Sequence, residues 1–115
     1  MTTALPPSAE RRTLPRSRIL QRGRVCYGAE QAMSFDCTIR NLTATGAMLR
    51  SPAQQPIPES FTLLHVAGGI AFDARVTWRR GTEVGVQFQS RQDLKGPVPD
   101  EFRAMRRLWA ALATT

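Results

Sequence analysis

The stretch FDARVTWR, residues 72–79, decides the fold class. Its apolar residues alternate with polar or charged ones, and a period of two indicates a β-strand that buries one face. In this phase Phe72 and Trp78 are expected to point into the core. The stretch follows Gly68-Gly69 and precedes Arg80-Gly81, and each of these dipeptides is typical of a tight turn between antiparallel strands.

Shorter segments with strand-like patterns lie on both sides of this strand. We predict five further strands, over residues 19–27, 35–40, 47–51, 60–66 and 84–88. Turn-forming residues separate them, and no segment between two strands has the spacing of a helical crossover. Six short strands joined by turns predict an all-β fold, either an antiparallel barrel or a sandwich.

The segment after the last strand has a different period. Between Asp100 and Leu112 the large apolar residues recur at steps of three and four, which places them on one face of a helix. They are Phe102, Met105, Trp109 and Leu112. Such a stripe can bind a partner but more often packs on its own domain, so we predict a C-terminal α-helix packed against the strands.

Arginine dominates the charge of the chain. The 115 residues carry a net charge of +7, only Lys95 is a lysine, and residues 1–27 contain six arginines against one acid. Because guanidinium groups bind phosphate oxygens in pairs and stack on flat rings, this concentration indicates an anionic partner: a nucleotide, a nucleic acid or a membrane lipid. An arginine-rich surface that is simply solvated is the alternative.

Several function classes have little support in the sequence. His65 has no identifiable serine or cysteine partner, the carboxylates are not paired for acid–base work, and no glycine-rich phosphate loop occurs, so we predict that the protein is not an enzyme. The two cysteines, Cys26 and Cys37, match no zinc pattern, so no metal or other cofactor is expected. They are predicted to be reduced and to face each other across a hairpin.

The first ten residues lack the apolar core of a signal peptide and contain two prolines. The longest uncharged apolar stretch, residues 62–72, is interrupted by glycines and is too short to span a bilayer. We therefore expect a cytoplasmic protein without a membrane span.

Two short motifs carry the chemistry of a binding site. The first, RTLPR at residues 12–16, sets two arginines four positions apart, where both can turn toward one anion. The second, NLTATG at residues 41–46, joins two predicted strands. Its Asn and Thr side chains can cap a turn or face a base edge, and its glycine can accept positive φ or let a ligand approach. A solvated basic linker and an ordinary turn are the alternatives.

Together, and in this order, the two motifs resemble those of the PilZ domain family, whose hallmark is R-x-x-x-R followed by [D/N]-x-S-x-x-G. Arg12 and Arg16 match the first motif, and Asn41 and Gly46 match the ends of the second. Thr43 stands where the family usually has serine, which keeps the hydroxyl group. The segment VTWRRG through GVQF also looks like the family's last hairpin, and the resemblance covers roughly residues 10–90.

The resemblance implies a six-stranded antiparallel β-barrel that binds the bacterial second messenger cyclic di-GMP. By the same resemblance, the phosphates and the guanine faces are expected to be held by Arg12 and Arg16. Three residues line the guanine edge, Asn41, Thr43 and Gly46. Arg11 is a further expected ligand residue because it stands directly before the arginine pair.

This interpretation divides the chain into three parts. They are a flexible N-terminal tail over residues 1–10, a basic ligand-binding linker over residues 11–18, and a PilZ-like barrel with the C-terminal helix over residues 19–112. The ligand would order the linker against the barrel and so signal to a downstream protein.

Two other functions are open at this point. A small basic barrel can bind single-stranded nucleic acid through exposed aromatic residues. Phe72, Trp78 and Phe88 all lie in the inward phase, however, so nucleic acid is not the expected partner. A degenerate PilZ domain can act through protein–protein contacts alone, but such domains usually lack the arginine pair that this chain has.

We predict that two cyclic di-GMP molecules bind each chain, because in the resembled family an arginine just before the pair goes with a stacked pair of ligands. Two stacked ligands bring about four negative charges into one site, and Arg11 offsets part of their repulsion. Calorimetry well above the dissociation constant measures the ratio. A ratio of one for the native protein, unchanged in Arg11→Leu, would contradict this role of Arg11.

Overall fold

Six strands and one helix form within the residues that the structure, a computed structural model, describes: 20–52 and 54–114. The strands are β1 (Gln21–Tyr27), β2 (Met33–Leu42), β3 (Gly46–Arg50), β4 (Ser60–His65), β5 (Ile70–Arg80) and β6 (Glu83–Asp93). A 3₁₀ turn at Ala29–Gln31 joins β1 to β2, and a second at Asp100–Phe102 leads into the helix α1 (Arg103–Ala113). All the strands and the helix predicted from the sequence are present.

The strands close into a barrel in the order β1-β2-β3-β6-β5-β4. Every neighbouring pair is antiparallel. The ring closes where β4 pairs with β1, from Gly23 opposite His65 to Cys26 opposite Thr62. The predicted six-stranded antiparallel β-barrel is therefore confirmed, and the sandwich is excluded.

Inward-facing apolar side chains fill the barrel. Val25, Leu49 and Leu63 are fully buried, and Phe72 stacks on Phe88 with ring centroids 4.0 Å apart. The other buried members of this core are Cys37, Ile39, Ile57, Phe61, Ala74, Val76, Val84 and Val86. The alternation predicted for β2 and β6, and for β5 as far as Val76, is thus present in the structure. Because burial of apolar surface is the dominant favourable term in folding, this core holds the strands together.

The helix α1 packs on the outside of the barrel. Met105 is buried, and Trp109 Nε1 donates a hydrogen bond of 2.8 Å to the carbonyl of Val66. The barrel strands contribute three buried residues to this second cluster, Cys26, Leu64 and Ala71, and Leu94 directly after β6 is a fourth. The apolar stripe of the helix therefore packs on its own domain, as predicted.

The two cysteines are free thiols, but they do not face each other across the β1–β2 hairpin as predicted. Cys26 pairs with Ser34 and belongs to the cluster under α1, whereas Cys37 pairs with Gly23 and belongs to the barrel core. The predicted start of β2 was residue 35, but the strand begins at Met33, and this earlier start changes the register. Burial raises the pKa of Cys26 to about 11 and that of Cys37 to about 12, so both thiols are protonated at neutral pH.

The inward orientation predicted for Trp78 is wrong. Val76 pairs with Val86 while Trp78 pairs with Gly85, so Thr77 is an extra residue in β5. This β-bulge reverses the alternation, and Trp78 turns to the outer face, where it is 42% exposed. The Thr77 hydroxyl stabilises the bulge by donating a hydrogen bond of 3.2 Å to the carbonyl of Gly85.

Candidate functional site

The turn between β2 and β3 is closed by one hydroxyl group. Thr43 Oγ1 accepts hydrogen bonds from the backbone N–H of Gly46 at 3.1 Å and of Thr45 at 3.3 Å, and it donates to the Gly46 carbonyl at 3.2 Å. The Thr43 N–H donates to the same carbonyl at 2.9 Å. Of the two roles that the sequence leaves open for this side chain, capping of the turn is therefore the one that it performs in the structure.

Gly46 is required for packing rather than for an unusual backbone angle. It is not among the residues with positive φ, and it pairs with Gln87 where β3 meets β6. A Cβ atom at this position would overlap the backbone carbonyl oxygen of Val86. Next to this contact, the N–H of Phe88 donates a hydrogen bond of 2.8 Å to the carbonyl of Thr45. The glycine thus lets two strand backbones approach each other.

One row of side chains crosses four adjacent strands on the outer face of the barrel. Asn41 of β2 pairs with Met48 of β3, Met48 pairs with Gly85 of β6, and Gly85 pairs with Trp78 of β5. A Cβ atom at Gly85 would overlap the Trp78 indole, so the ring lies directly on the β6 backbone. This row forms an open groove of about 280 Å³, the Trp78 groove, lined by Asn41, Thr43, Gly46, Ala47, Met48, Trp78 and Gly85.

The Asn41 carboxamide holds a buried oxygen without a hydrogen bond. Among the described residues, Asn41 Oδ1 is the one buried side-chain nitrogen or oxygen that has no partner. An unsatisfied buried acceptor costs about 1–3 kcal/mol, so rotation of this amide toward a donor would be favourable. A polar group in this state beside a groove can accept a hydrogen bond from a ligand or from water.

Two arginines lie on the strands that form the groove. Arg40 Nη1 is 2.5 Å from Glu83 Oε2, and Arg50 Nη2 is 3.2 Å from the same oxygen. These hydrogen bonds hold the pKa of Glu83 below its usual value, so the ionised carboxylate keeps two guanidinium groups together. Arg50 also lines a larger groove of about 500 Å³ that reaches Leu20 and Arg22 at the start of the barrel.

The structure brings together three of the six predicted ligand residues in the Trp78 groove: Asn41, Thr43 and Gly46. The other three lie outside the described residues: Arg11, Arg12 and Arg16. Sequence reasoning missed the contribution of Trp78, Met48 and Gly85. The available signal was Gly85, because a glycine inside a strand often marks the close approach of another group to the backbone.

His65 has a structural role. Its Nε2 contacts the side-chain amide oxygen of Gln21. Burial, with a smaller contribution from Lys95, lowers the pKa of the imidazole, so His65 is neutral at pH 7. Within the described ranges, no cluster of three or more side chains could hold a metal ion. No helix in this part of the chain is long and apolar enough to cross a membrane.

A closed ring of six antiparallel strands with a polar groove on its outer face defines a small β-barrel domain. The family model described as PilZ domain matches residues 10–96, about three quarters of the chain. The chain therefore belongs to the PilZ domain family. PilZ domains in general are binding domains rather than enzymes, and they act as receptors for cyclic di-GMP. No curated protein and no solved structure matches the chain.

Gly46→Ala is expected to destabilise the barrel by about 1–3 kcal/mol, the usual cost of an extra carbon in a packed contact. The added Cβ would meet the Val86 carbonyl. Gly96→Ala is the matched control, because a Cβ there has no heavy atom within 4 Å and the residue does not have positive φ. Chemical denaturation measures both free energies of unfolding. Equal stabilities would show that Gly46 is not needed for the packing of β3 on β6.

Proposed function

We propose that this PilZ domain is a receptor for cyclic di-GMP, which it binds in the Trp78 groove with arginines from the N-terminal segment. The observation that carries the proposal is the buried, unpartnered Asn41 oxygen in a groove that also contains an exposed indole. Membership of the PilZ family supports the same ligand class. The proposed ligand residues are Arg11, Arg12, Arg16, Asn41, Thr43 and Gly46, together with Trp78.

Guanine offers the two kinds of group that the groove can bind. Its amino group donates hydrogen bonds from one edge of the base, and Asn41 Oδ1 is an acceptor in need of a donor. Its flat face can stack on the exposed Trp78 indole, and such stacking contributes about 1–3 kcal/mol per base. A guanine base therefore matches the chemistry of both the polar and the aromatic side of the groove.

The N-terminal arginines are close enough in sequence to reach this face of the barrel. Arg16 precedes Leu20, the first described residue, by four positions. Four extended residues span at most about 14 Å. Neighbouring strands lie about 4.8 Å apart, so β3 is about 10 Å from β1 across β2. A guanidinium at position 16 can thus meet a phosphate that lies over β2 or β3, near Arg40 and Arg50.

In this proposal the arginine segment connects the ligand to a downstream protein. Phosphates bound by Arg12 and Arg16 would hold the linker, residues 11–18, against the barrel and so expose or cover a surface for the partner. The tail over residues 1–10, the barrel with its helix over residues 19–112, and a location in the bacterial cytoplasm belong to the same proposal.

The outward position of Trp78 also bears on the rival function, binding of single-stranded nucleic acid. Phe72, Trp78 and Phe88 are therefore not all turned inward, because Trp78 is exposed on the outer face. Binding along a strand, however, stacks successive bases on several aromatic side chains. Trp78 is the one exposed large aromatic residue in the part of the chain that the structure describes. A short RNA is therefore the appropriate competitor in a binding experiment.

Arg12→Ala and Arg16→Ala are each expected to weaken cyclic di-GMP binding by about ten- to a hundredfold, because a hydrogen bond to a charged group contributes roughly 1.5–3 kcal/mol. The free energy of unfolding should not change, since both residues precede β1. Arg18→Ala is the matched control, in the same basic segment but outside the motif. Isothermal calorimetry measures the affinities of all three variants.

Wild-type affinity in both motif variants would exclude the arginine pair from the site. An equal loss in Arg18→Ala would mean that the net charge of the segment, rather than the motif, determines the affinity. Tighter binding of a short RNA than of cyclic di-GMP would favour the rival function.

A further inference from the structure

A third groove lies beside α1 and shares no lining residue with the Trp78 groove. It runs between the loop after β6 and α1 and has a volume of about 480 Å³. Its lining residues are Pro97, Val98, Arg103, Arg106, Arg107 and Ala110. The helix packs on outer residues of β1, β4 and β5, and β4, the middle one of these three strands, stands opposite β3 in the closed strand order. We refer to this surface as the helix groove.

Three arginines form one wall of the helix groove. Arg103, Arg106 and Arg107 are spaced three and four residues apart, so they project from one face of α1. Arg103 pairs with Asp100 at 3.1 Å, although both side chains are largely exposed. Within the described part of the chain, Arg106 and Arg107 form no ion pair or hydrogen bond. Two guanidinium groups are thus available to another molecule.

The positions of these arginines disfavour the helix itself. Like charges three or four residues apart repel each other. Cations in the first turns of a helix also oppose its dipole, whereas cations in the last turn would be favourable. The last turn of α1 has no basic residue. Neither the helix dipole nor the spacing of the charges therefore favours this arginine cluster.

The chemistry of the helix groove fits carboxylates on a protein. Arginine binds a carboxylate through two parallel hydrogen bonds, and Val98 and Ala110 provide an apolar contact between the charges. A membrane surface fits less well, because the apolar stripe of α1 is packed against the barrel and cannot insert. A nucleic acid also fits less well, since no aromatic residue lines this groove for stacking.

We propose that the helix groove docks an acidic segment of a partner protein, whose Asp or Glu side chains bind Arg106 and Arg107. Because the helix groove and the Trp78 groove share no lining residue, an acidic segment here need not compete for space with a ligand there. A signalling role for this docking rests on the proposed cyclic di-GMP function. The docking itself is independent of that function, so it is tested without cyclic di-GMP.

The experiment titrates the full chain with a fluorescent, glutamate-rich peptide that carries one leucine. Arg106→Gln/Arg107→Gln is expected to weaken peptide binding by at least about tenfold, because two charge-assisted contacts are lost. Arg75→Gln/Arg80→Gln is the matched control. It removes two exposed arginines of β5 that lie outside the groove, lowers the net charge by the same amount, and should change the affinity by less than about threefold.

Thermal unfolding separates docking from a structural role of the arginines. The midpoint of Arg106→Gln/Arg107→Gln should equal or slightly exceed that of the native protein, because repulsion within α1 is relieved. A clearly lower midpoint would assign the arginines to folding and overturn the proposal. Equal weakening in the control variant, or no peptide binding by the native protein, would overturn it as well. Stronger binding of single-stranded DNA or phosphatidylglycerol vesicles through the same arginines would overturn the choice of an acidic protein.

Discussion

The pairing of β3 with β6, one of the six strand contacts of the closed barrel, depends on a close backbone contact at Gly46. A Cβ atom there would overlap the Val86 carbonyl, so glycine alone lets these strands reach hydrogen-bonding distance without distortion. The same residue ends the β2–β3 turn, which the Thr43 hydroxyl closes. This turn also sets the pairing of β2 with β3, which places Asn41 opposite Met48. The packing of the strands around the core and the shape of the groove outside it therefore both require a residue without a Cβ atom at position 46.

A second local feature gives the closed barrel a binding face. The bulge at Thr77 turns Trp78 out of the core, and Gly85 leaves space for the indole on β6. Without the bulge, the tryptophan would point inward and Asn41 would have no aromatic neighbour on the outer face. On the opposite side, α1 uses its apolar stripe for packing and presents its arginines to solvent. One barrel thus carries two chemically different surfaces, an aromatic and polar groove and a basic groove.

Periodicity is sufficient to predict all six strands and the helix, because apolar spacing reports directly which side chains face a core. Periodicity does not reveal Thr77 as an extra residue, since a bulge shifts the inward–outward alternation without changing the composition. The orientation predicted for Trp78 is therefore wrong. The register of Cys26 is missed for a related reason, because it depends on where β2 begins. The motif identifies Asn41 as a candidate ligand residue. It does not indicate that Asn41 and Trp78 line the same groove, since only tertiary pairing brings β2 and β5 to that groove.

The most direct test of the binding face uses the two tryptophans of the chain, Trp78 in the groove and Trp109 under the helix. In Trp109→Phe all tryptophan emission comes from Trp78, and stacking of guanine on the indole should quench it as cyclic di-GMP is added. Trp78→Phe retains only Trp109, which is packed on the opposite side and should not respond. Saturable quenching in Trp109→Phe alone is the predicted result. Unchanged emission from Trp109→Phe, at concentrations where calorimetry shows that this variant binds cyclic di-GMP, would contradict the Trp78 groove as the ligand site.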